Sequence, residues 1–279
     1  MKRREVLTGL AALSISPWLT SCAREEEPVA GRTLSNIGIQ LYTVRDQMAI
    51  DVRATLTALA EIGYKEIEFA GYFDHSPADI RTMLDDLGLT SPSAHASIEM
   101  LRDAPETVIE TWLEIGHEYV VMPWLTPEQR DTLDKYRAHA ELFNRFAEQA
   151  TGAGLTFAYH NHEFEFEPID GILPMDLLLA EVDASLMQVE LDLYWTAFAG
   201  VDPFEYFEKH PGRFPLCHVK DMAADRAMAD VGSGTIDFAT LFAASEQAGF
   251  KHYFVERDDA TDTLASAANS FAGISAISF

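Results

Sequence analysis

Short apolar runs alternate with longer amphipathic segments along most of the chain, from about residue 36 to the C-terminus. The short runs are rich in β-branched and aromatic side chains, which is typical of strands buried on both faces. They predict eight strands, at residues Ile37–Tyr42, Glu66–Ala70, Ser91–His95, Tyr119–Met122, Thr156–His160, Gln188–Asp192, Pro215–Val219 and His252–Glu256.

The longer segments carry apolar residues at helical spacing and predict one helix after each strand. Several begin with proline in the first turn behind a capping residue, as at Ser76-Pro77, Thr126-Pro127 and Asp202-Pro203. Five precede a glycine that suits a left-handed C-terminal cap, namely Gly63, Gly88, Gly116, Gly154 and Gly249. The predicted helices cover Asp51–Ile62, Pro77–Leu87, Pro105–Gly116, Pro127–Ala153, Ile172–Val182, Pro203–His210, Asp237–Ala248 and Asp262–Ser275.

Eight strand-then-helix units favour a (β/α)8 TIM barrel, which is an α/β fold. Parallel strands need helical crossovers, and closure into a barrel leaves no exposed edge strand. An open, doubly wound sheet stays an alternative, although no predicted strand is followed by a glycine-rich dinucleotide-binding fingerprint. We therefore expect a single barrel domain over residues 36–279.

The first 22 residues have the pattern of an export signal. Basic residues at positions 2–4 precede an apolar stretch, Val6–Leu19, that is too short to span a bilayer comfortably. Arg3-Arg4 resembles a twin-arginine signal, and Leu19-Thr20-Ser21-Cys22 resembles a lipobox whose cysteine becomes lipidated. These motifs predict an exported lipoprotein, anchored to the membrane by lipid on Cys22 and facing the periplasm. The alternative is an ordinary secretory peptide in which Cys22 is incidental.

Residues 23–35 carry three consecutive glutamates and no apolar periodicity, which predicts a tether between the lipid and the barrel. Without residues 1–21 the chain has 17 basic and 44 acidic side chains, a formal charge of −27. Such a surface repels phosphate backbones and excludes nucleic acid as a partner. A small carbohydrate remains compatible, and the sequence leaves an oligomer open. Only Cys217 accompanies Cys22, so no disulfide framework is expected.

Ionisable side chains collect at the C-terminal ends of the predicted strands, where active sites of this fold lie. His160 and His162 share one side of the fifth strand, as Glu190 and Asp192 do on the sixth, because neighbours alternate. Carboxylates clustered without a cation repel one another. The mixture of imidazoles and carboxylates therefore predicts one divalent ion, for which manganese, cobalt and zinc are candidates.

The same residues resemble the sugar phosphate isomerase/epimerase family, which has a xylose-isomerase-like TIM barrel. The resemblance covers nearly all of residues 36–279 and depends on six motifs together, since each is weak alone. They are Ile39–Asp46, Glu68–Tyr72, Tyr159–His162 with Phe164–Phe166, Glu190–Trp195, His218–Met222 and Phe254–Glu256.

The resemblance implies four metal ligands, one after each of the last four barrel strands. Three of them match Asp192, His218 and Glu256. The family's strand-five glutamate does not match directly, because His160 stands at that position and Glu163 and Glu165 lie further along the chain. We expect His160 to replace it, with a nearby glutamate as the alternative. No arginine cluster or glycine-rich anion cradle accompanies these residues, so the expected substrate is an unphosphorylated sugar.

The resemblance implies a metal-dependent isomerase or epimerase that enolises its substrate. Glu256 is the expected base, and His160 or His162 takes the second proton-transfer role. The histidine at the glutamate position keeps two alternatives open: a keto-glycoside lyase or dehydratase with the same metal site, and a non-catalytic sugar-binding lipoprotein. Lys220 is a further catalytic candidate. The predicted substrate-binding residues are Gln40, Tyr42, Glu68, His95, Asn161 and Trp195.

The longest segment between the seventh strand and its helix, residues 223–236, contains two glycines. Its length and position allow a lid that folds over the site, or a loop without a functional role.

Overall fold

The computed structural model describes residues 31–279, so the predicted signal peptide, Cys22 and residues 23–30 of the predicted tether lie outside the described residues. The compact unit begins at Arg32. The backbone of Arg32 exchanges two hydrogen bonds with that of Phe279, at 2.7 and 2.9 Å, so residues 32–35 of the predicted tether belong to the barrel unit. Among the described residues, no helix has the length and apolarity needed to cross a membrane.

The strands close into a parallel eight-stranded barrel, which confirms the predicted fold class. Each strand pairs with its neighbour in sequence, and β8 pairs with β1 to complete the circle. The barrel strands are β1 Gly38–Gln40, β2 Glu66–Phe69, β3 Thr90–His95, β4 Tyr119–Met122, β5 Thr156–His160, β6 Met187–Asp192, β7 Leu216–Val219 and β8 His252–Val255.

The strands are buried on both faces, as their nearly continuous apolar composition predicts. All residues of β4, a Tyr-Val-Val-Met run, are buried. The five predicted cap glycines all have φ between 63° and 126°, in the region that favours glycine. Five of the barrel strands, β2, β3, β4, β5 and β8, therefore start just after a glycine that ends the preceding helix and reverses the chain toward the sheet.

Helices cover the outside of the barrel. Those in the described residues are α1 Arg45–Ile50, α2 Val52–Ile62, α3 Pro77–Leu87, α4 Ile98–Asp103, α5 Pro105–Ile115, α6 Leu133–Gly152, α7 Pro174–Glu181, α8 Leu193–Phe198, α9 Pro203–Lys209, α10 Phe238–Ala243, α11 Ser245–Ala248 and α12 Thr263–Ser275.

Three features of the helices differ from the prediction. The segment predicted as one helix from Asp237 to Ala248 is divided into α10 and α11, with Ala244 between them. The segment predicted as one helix from Pro127 to Ala153 is a 3₁₀ turn, Pro127–Gln129, followed by α6, because Thr132 starts a new helix with its own side-chain cap. The short helices α1, α4 and α8 were not predicted. Six residues span fewer than two turns, so their apolar periodicity is too short to detect.

The segment 223–236 is held in place by one carboxylate. Asp221 accepts hydrogen bonds from the backbone N–H groups of Met222, Gly232, Gly234 and Ile236, at 2.8 to 3.2 Å. Residues Asp221–Met222 and Met228–Ala229 also pair as a small antiparallel hairpin. These contacts give the segment a fixed conformation.

The same segment packs closely on α12. A Cβ atom added to Gly273 would overlap the backbone carbonyl of Val231. We predict that Gly273→Ala lowers the free energy of unfolding by about 1–3 kcal/mol, the usual cost of overpacking a tight contact. Gly152→Ala is the matched control, because a Cβ there meets open space. Urea unfolding of the two variants tests this, and equal stabilities would contradict it.

Candidate active site

A cavity of about 510 Å³ opens at the C-terminal end of the barrel. Its volume lies within the usual range for small-molecule sites. Residues that follow six of the eight strands contribute to its walls. The lining residues are Tyr42, Ala70, His95, Pro123, Trp124, His160, His162, Lys220, Glu256 and Asp258.

Asp192 is positioned by two local hydrogen bonds where β6 runs into α8. Its Oδ1 caps the helix by accepting the N–H of Trp195 at 2.8 Å, and its own N–H donates to Oδ1 of Asn161 at 3.0 Å. The second oxygen, Oδ2, is buried without a hydrogen-bond partner. The cap thus fixes the carboxylate and leaves one oxygen available for a ligand.

His218 lies directly opposite Asp192 in the β6–β7 register. Its Nε2 lies 2.7 Å from Oε2 of Glu68 and 3.1 Å from Oε2 of Glu190. Its Nδ1 faces the other way, 3.9 Å from Oδ2 of Asp192 and 2.7 Å from Oε2 of Glu256. The two deeper carboxylates therefore orient the ring, as carboxylates do behind metal-bound histidines.

We call Glu68, His95, Glu190 and His218 the inner cluster. Burial alone disfavours a charged imidazole, but Glu68 and Glu190 raise the pKa of His95 to about 9. Burial also opposes ionisation of Glu68, yet His95 and His218 hold its pKa well below the ordinary value. Burial and the neighbouring Glu68 raise the pKa of Glu190. The inner cluster thus balances most of its charge internally.

We call His160, Asp192, His218 and Glu256 the outer group. Nε2 of His160 lies 3.9 Å from Oδ2 of Asp192, and its Nδ1 lies 3.2 Å from Glu190. Burial, followed by the nearby His218, lowers the pKa of His160 well below its ordinary value. The ring is therefore neutral near pH 7, which is the form that ligates metals.

Two sets of side chains in the described part of the chain offer ligand atoms within 4.8 Å of one another: the inner cluster, and His160 with Asp192 and His218. The second set contains three of the four predicted ligands. Glu256 is the fourth predicted ligand, and its Oε2 lies 2.7 Å from Nδ1 of His218 in that set. Two members of the outer group, His160 and Glu256, line the cavity, whereas only His95 of the inner cluster does. The outer group is therefore the better candidate for a metal site.

Lys220 stands among three carboxylates. Its Nζ lies 3.3 Å from Asp192, 2.8 Å from Glu256 and 3.1 Å from Asp258. Although burial opposes its charge, these neighbours raise the pKa of Lys220 well above its ordinary value. Burial opposes ionisation of Glu256, but Lys220 and His218 hold its pKa well below the usual range. Lys220 is therefore a cation held against these three carboxylates.

Asp258 is a cavity residue that the sequence analysis did not select. Its carboxyl is about a quarter exposed, Oδ1 has no hydrogen-bond partner, and Oδ2 binds Lys220. Burial, followed by the charge of Glu256, raises the pKa of Asp258 to about 7. The neighbouring carboxyl groups of Glu256 and Asp258 thus differ in their ease of ionisation, as a base and an acid of one site do.

His162 lines the cavity beside Phe164, with the two rings stacked at 5.4 Å between centroids. Burial, followed by the charge of Lys220, lowers the pKa of His162 to about 3. His162 and His160 are thus both neutral near pH 7, which makes them poor proton donors. This matters because the sequence analysis assigned the second proton-transfer role to one of them.

The predicted substrate-binding residues occupy three different environments. Tyr42 and His95 line the cavity. Gln40, Glu68 and Asn161 are completely buried and support other side chains: Gln40 donates to Glu68 at 2.8 Å, and Asn161 braces Asp192. Trp195 lies beside the site, with its ring centroid 5.7 Å from Nζ of Lys220.

Glu165 is a buried carboxyl behind the site. It accepts hydrogen bonds from the hydroxyl of Tyr159 at 2.6 Å and from the N–H of His162 at 2.7 Å. Burial raises its pKa to about 8. The residue thus fixes the loop after β5, in which His162 lies, and has no contact with the cavity.

The chain is similar both to one protein family and to individual known proteins. A model described as xylose isomerase-like TIM barrel matches residues 56–270. The inosose dehydratase of Geobacillus kaustophilus (strain HTA426) is 24% identical over 228 residues, which cover 67% of this chain and 73% of that protein.

Two solved structures are also similar. A sugar phosphate isomerase/epimerase from Parabacteroides distasonis ATCC 8503 has a TM-score of 0.72 and 27% identity, covering 85% of this chain and 92% of that chain. The IOLI protein, solved with a bound zinc atom, has a TM-score of 0.70 and 16% identity, covering 88% and 99%. At that identity, the second likeness concerns the fold alone.

We predict that Glu165→Gln changes the pH dependence of stability. The carboxyl ionises near pH 4.5 when exposed and near pH 8 when folded, so its stabilising contribution is complete below pH 4.5 and is lost as pH rises through 8. A glutamine at this position is uncharged at every pH, so it does not lose this contribution. Relative to wild type, the variant should gain a few kcal/mol between pH 5 and 9, since a tenfold change in equilibrium is worth about 1.4 kcal/mol.

Urea unfolding at the two pH values measures this difference. Glu163→Gln, two residues earlier and only partly buried, is the control variant. A stability difference between Glu165→Gln and wild type that does not change with pH would contradict the assignment.

Proposed function

The chain belongs to the xylose isomerase-like TIM barrel family, and on that premise we propose that it is a lyase acting on an unphosphorylated keto-glycoside. The enzyme removes the proton next to the sugar's carbonyl and expels the oxygen substituent from the following carbon. Relatives of the chain include both a dehydratase and an isomerase/epimerase by name, so the family accommodates either chemistry.

The one-sided placement of the carboxyl groups carries this proposal. The carboxyl groups that line the cavity, Glu256 and Asp258, both follow β8. The strand across the barrel from β8 is β4, and the residues after it are Pro123 and Trp124, which are apolar. Exchange of a proton between two faces of a carbon needs a base on each side. This cavity instead has both carboxyl groups on one side.

The outer group fits a divalent ion. Its donors are two imidazoles and two carboxylates, which manganese, cobalt and zinc all accept. Nδ1 of His218 lies 2.7 Å from Oε2 of Glu256 and 3.9 Å from Oδ2 of Asp192, and Nε2 of His160 lies 3.9 Å from the same Asp192 oxygen, so the donor atoms converge as the ligands of one ion do. His160, Asp192, His218 and Glu256 would hold the ion. When bound there, it supplies Lewis-acid polarisation of the substrate's carbonyl oxygen.

Glu256 is the base in this proposal. Its carboxylate stays ionised because Lys220 lies 2.8 Å away, and it is the most deeply buried carboxylate that reaches the cavity. It accepts the proton from the carbon beside the carbonyl. Lys220 compensates the negative charge that develops on the substrate oxygen, acting as a fixed cation in a dry site.

Asp258 is the proton donor. Its carboxyl reaches the cavity from the same loop as Glu256, so proton removal and proton donation occur on the same side of the sugar. The C–H and C–O bonds break, a carbon–carbon double bond forms, and the departing oxygen takes the proton from Asp258. The products are an unsaturated keto sugar and a free alcohol, with no net oxidation or reduction.

This proposal places elimination before the isomerisation or epimerisation predicted from the sequence. The neutral state of His160 and His162 supports elimination over epimerisation, since neither ring can readily return a proton to the opposite face of the carbon. The leader motifs add the proposal that the reaction takes place outside the cytoplasm on a lipid-anchored protein.

A product assay tests the proposal. The manganese-loaded enzyme is incubated in heavy water with methyl and phenyl 3-keto-glucosides and with free ketoses. We expect release of methanol or phenol, loss of this activity on chelation, and a decrease of about 100-fold or more in Glu256→Gln, the usual effect of removing a base. Asp202→Asn, at the exposed cap of α9, is the control variant.

The other outcomes identify the alternatives. Deuterium in recovered ketose or glycoside without alcohol release would establish isomerase or epimerase chemistry and overturn the elimination. Absence of both turnover and exchange with the metal-loaded enzyme would overturn catalysis and favour the non-catalytic sugar-binding protein.

A further inference from the structure

Two aromatic side chains stand at the mouth of the cavity, above its ionisable floor. Tyr42 and Trp124 line the cavity but are 46% and 45% exposed, whereas His160, Lys220 and Glu256 in the same cavity are at most 5% exposed. We infer that this pair is a subsite for a ring-bearing aglycone, the part of the substrate that leaves. The identification of the bound ring as an aglycone rests on the proposed function. The existence of a ring-binding surface is argued from the geometry of the cavity alone.

Trp124 is presented by a short rigid loop. The loop runs from the end of β4 to the 3₁₀ turn that begins at Pro127, and Leu125 anchors it by complete burial. Thr126 donates its N–H to the side chain of Gln129 at 2.8 Å, which closes a capping box. The backbone that carries the indole is thus held in position before a ligand arrives, which reduces the entropy lost on binding.

Tyr42 is supported from one side only. The guanidinium of Arg45 lies 4.3 Å from the centroid of its ring. Arg45 in turn donates to the carbonyl oxygen of Tyr42 at 2.8 Å and to that of Asp258 at 3.0 Å. One face of the phenol ring is thus covered, and its support is joined directly to the loop that carries the proposed proton donor.

The position of the pair distinguishes it from other exposed apolar residues. Ile50, Leu113 and Ile172 are at least 42% exposed, but none of them lines the cavity, and single exposed apolar residues are normal. Tyr42 and Trp124 instead share one cavity, together with Pro123 and Ala70. Flat aromatic faces on rigid supports bind planar or puckered rings through their apolar faces.

The kind of ligand can be deduced from the positions of the buried floor and the more exposed mouth of the cavity. The reacting carbon must lie near Glu256 and Lys220 at the buried floor, and Asp258 must reach the departing oxygen. A substituent on that oxygen then projects toward the more exposed level, where the aromatic pair lies. The aromatic pair at the mouth should therefore bind a phenyl ring or a second sugar ring. A methyl aglycone is too short to reach it.

Turnover of a matched substrate series tests the subsite. Methyl, phenyl and glucosyl 3-keto-glucosides share the reacting sugar and differ in the aglycone. Trp124→Ala should lower kcat/KM about tenfold for the two ring aglycones, mostly through KM, and leave the methyl substrate unchanged, as expected for an aromatic contact of ordinary strength. Trp124→Phe should restore most of the loss. Leu113→Ala, on the outer face of α5, is the control.

A binding experiment separates this inference from the proposed reaction. Unoxidised phenyl and methyl β-glucosides have no carbonyl, so they are not substrates for the proposed elimination. Calorimetry should show tighter binding of the phenyl glucoside to wild type and loss of that preference in Trp124→Ala. Equal binding of the two glucosides to wild type, or an unchanged preference in the variant, would overturn the subsite. Failure of every keto-glycoside to react would overturn the reaction and leave this test intact.

Discussion

The structure depends on compensating the charge of ionisable groups buried at one end of the barrel. Glu68, Glu190 and Asp192 are completely buried, and Glu256 is nearly so. Ionised carboxylates at such positions are costly unless cations and hydrogen bonds surround them. His95, His218 and Lys220 supply the positive charge. Each depends on more than one carboxylate, so the arrangement holds only as a whole.

The inner cluster and the outer group divide this task. The inner cluster pairs its carboxylates with imidazoles and fixes the ring of His218, whose other nitrogen then faces outward. The outer group brings together Oδ2 of Asp192, Nδ1 of His218 and Oε2 of Glu256, next to Nζ of Lys220. Ligand atoms above a layer of orienting carboxylates are the arrangement expected of a ligand site with a rigid support. The different reactivity proposed for Glu256 and Asp258 arises because Lys220 and His218 lower the pKa of Glu256, whereas burial and the charge of Glu256 raise the pKa of Asp258.

Much of the fold and of the floor of the site could be predicted from the sequence because period and strand position determine them. The alternation along β6 places Glu190 and Asp192 on one side, and the structure has them there. The roles of individual residues were less predictable. The position of Glu68 at a strand end predicts a substrate contact. In the structure its carboxylate is instead hydrogen-bonded to side chains on strands 25 and 150 residues away along the chain. Asp258 and Trp124 follow their strands by a few residues, where alternation no longer fixes direction.

The position of the metal ion tests the central claim most directly. Crystals of the full chain grown with manganese or zinc, with anomalous data collected at the absorption edge of the metal, would locate every bound ion. The account predicts one ion, bonded to His160, Asp192, His218 and Glu256, with His95 and Glu68 behind it. An ion inside the inner cluster, or no ion in the barrel at saturating metal, would contradict it.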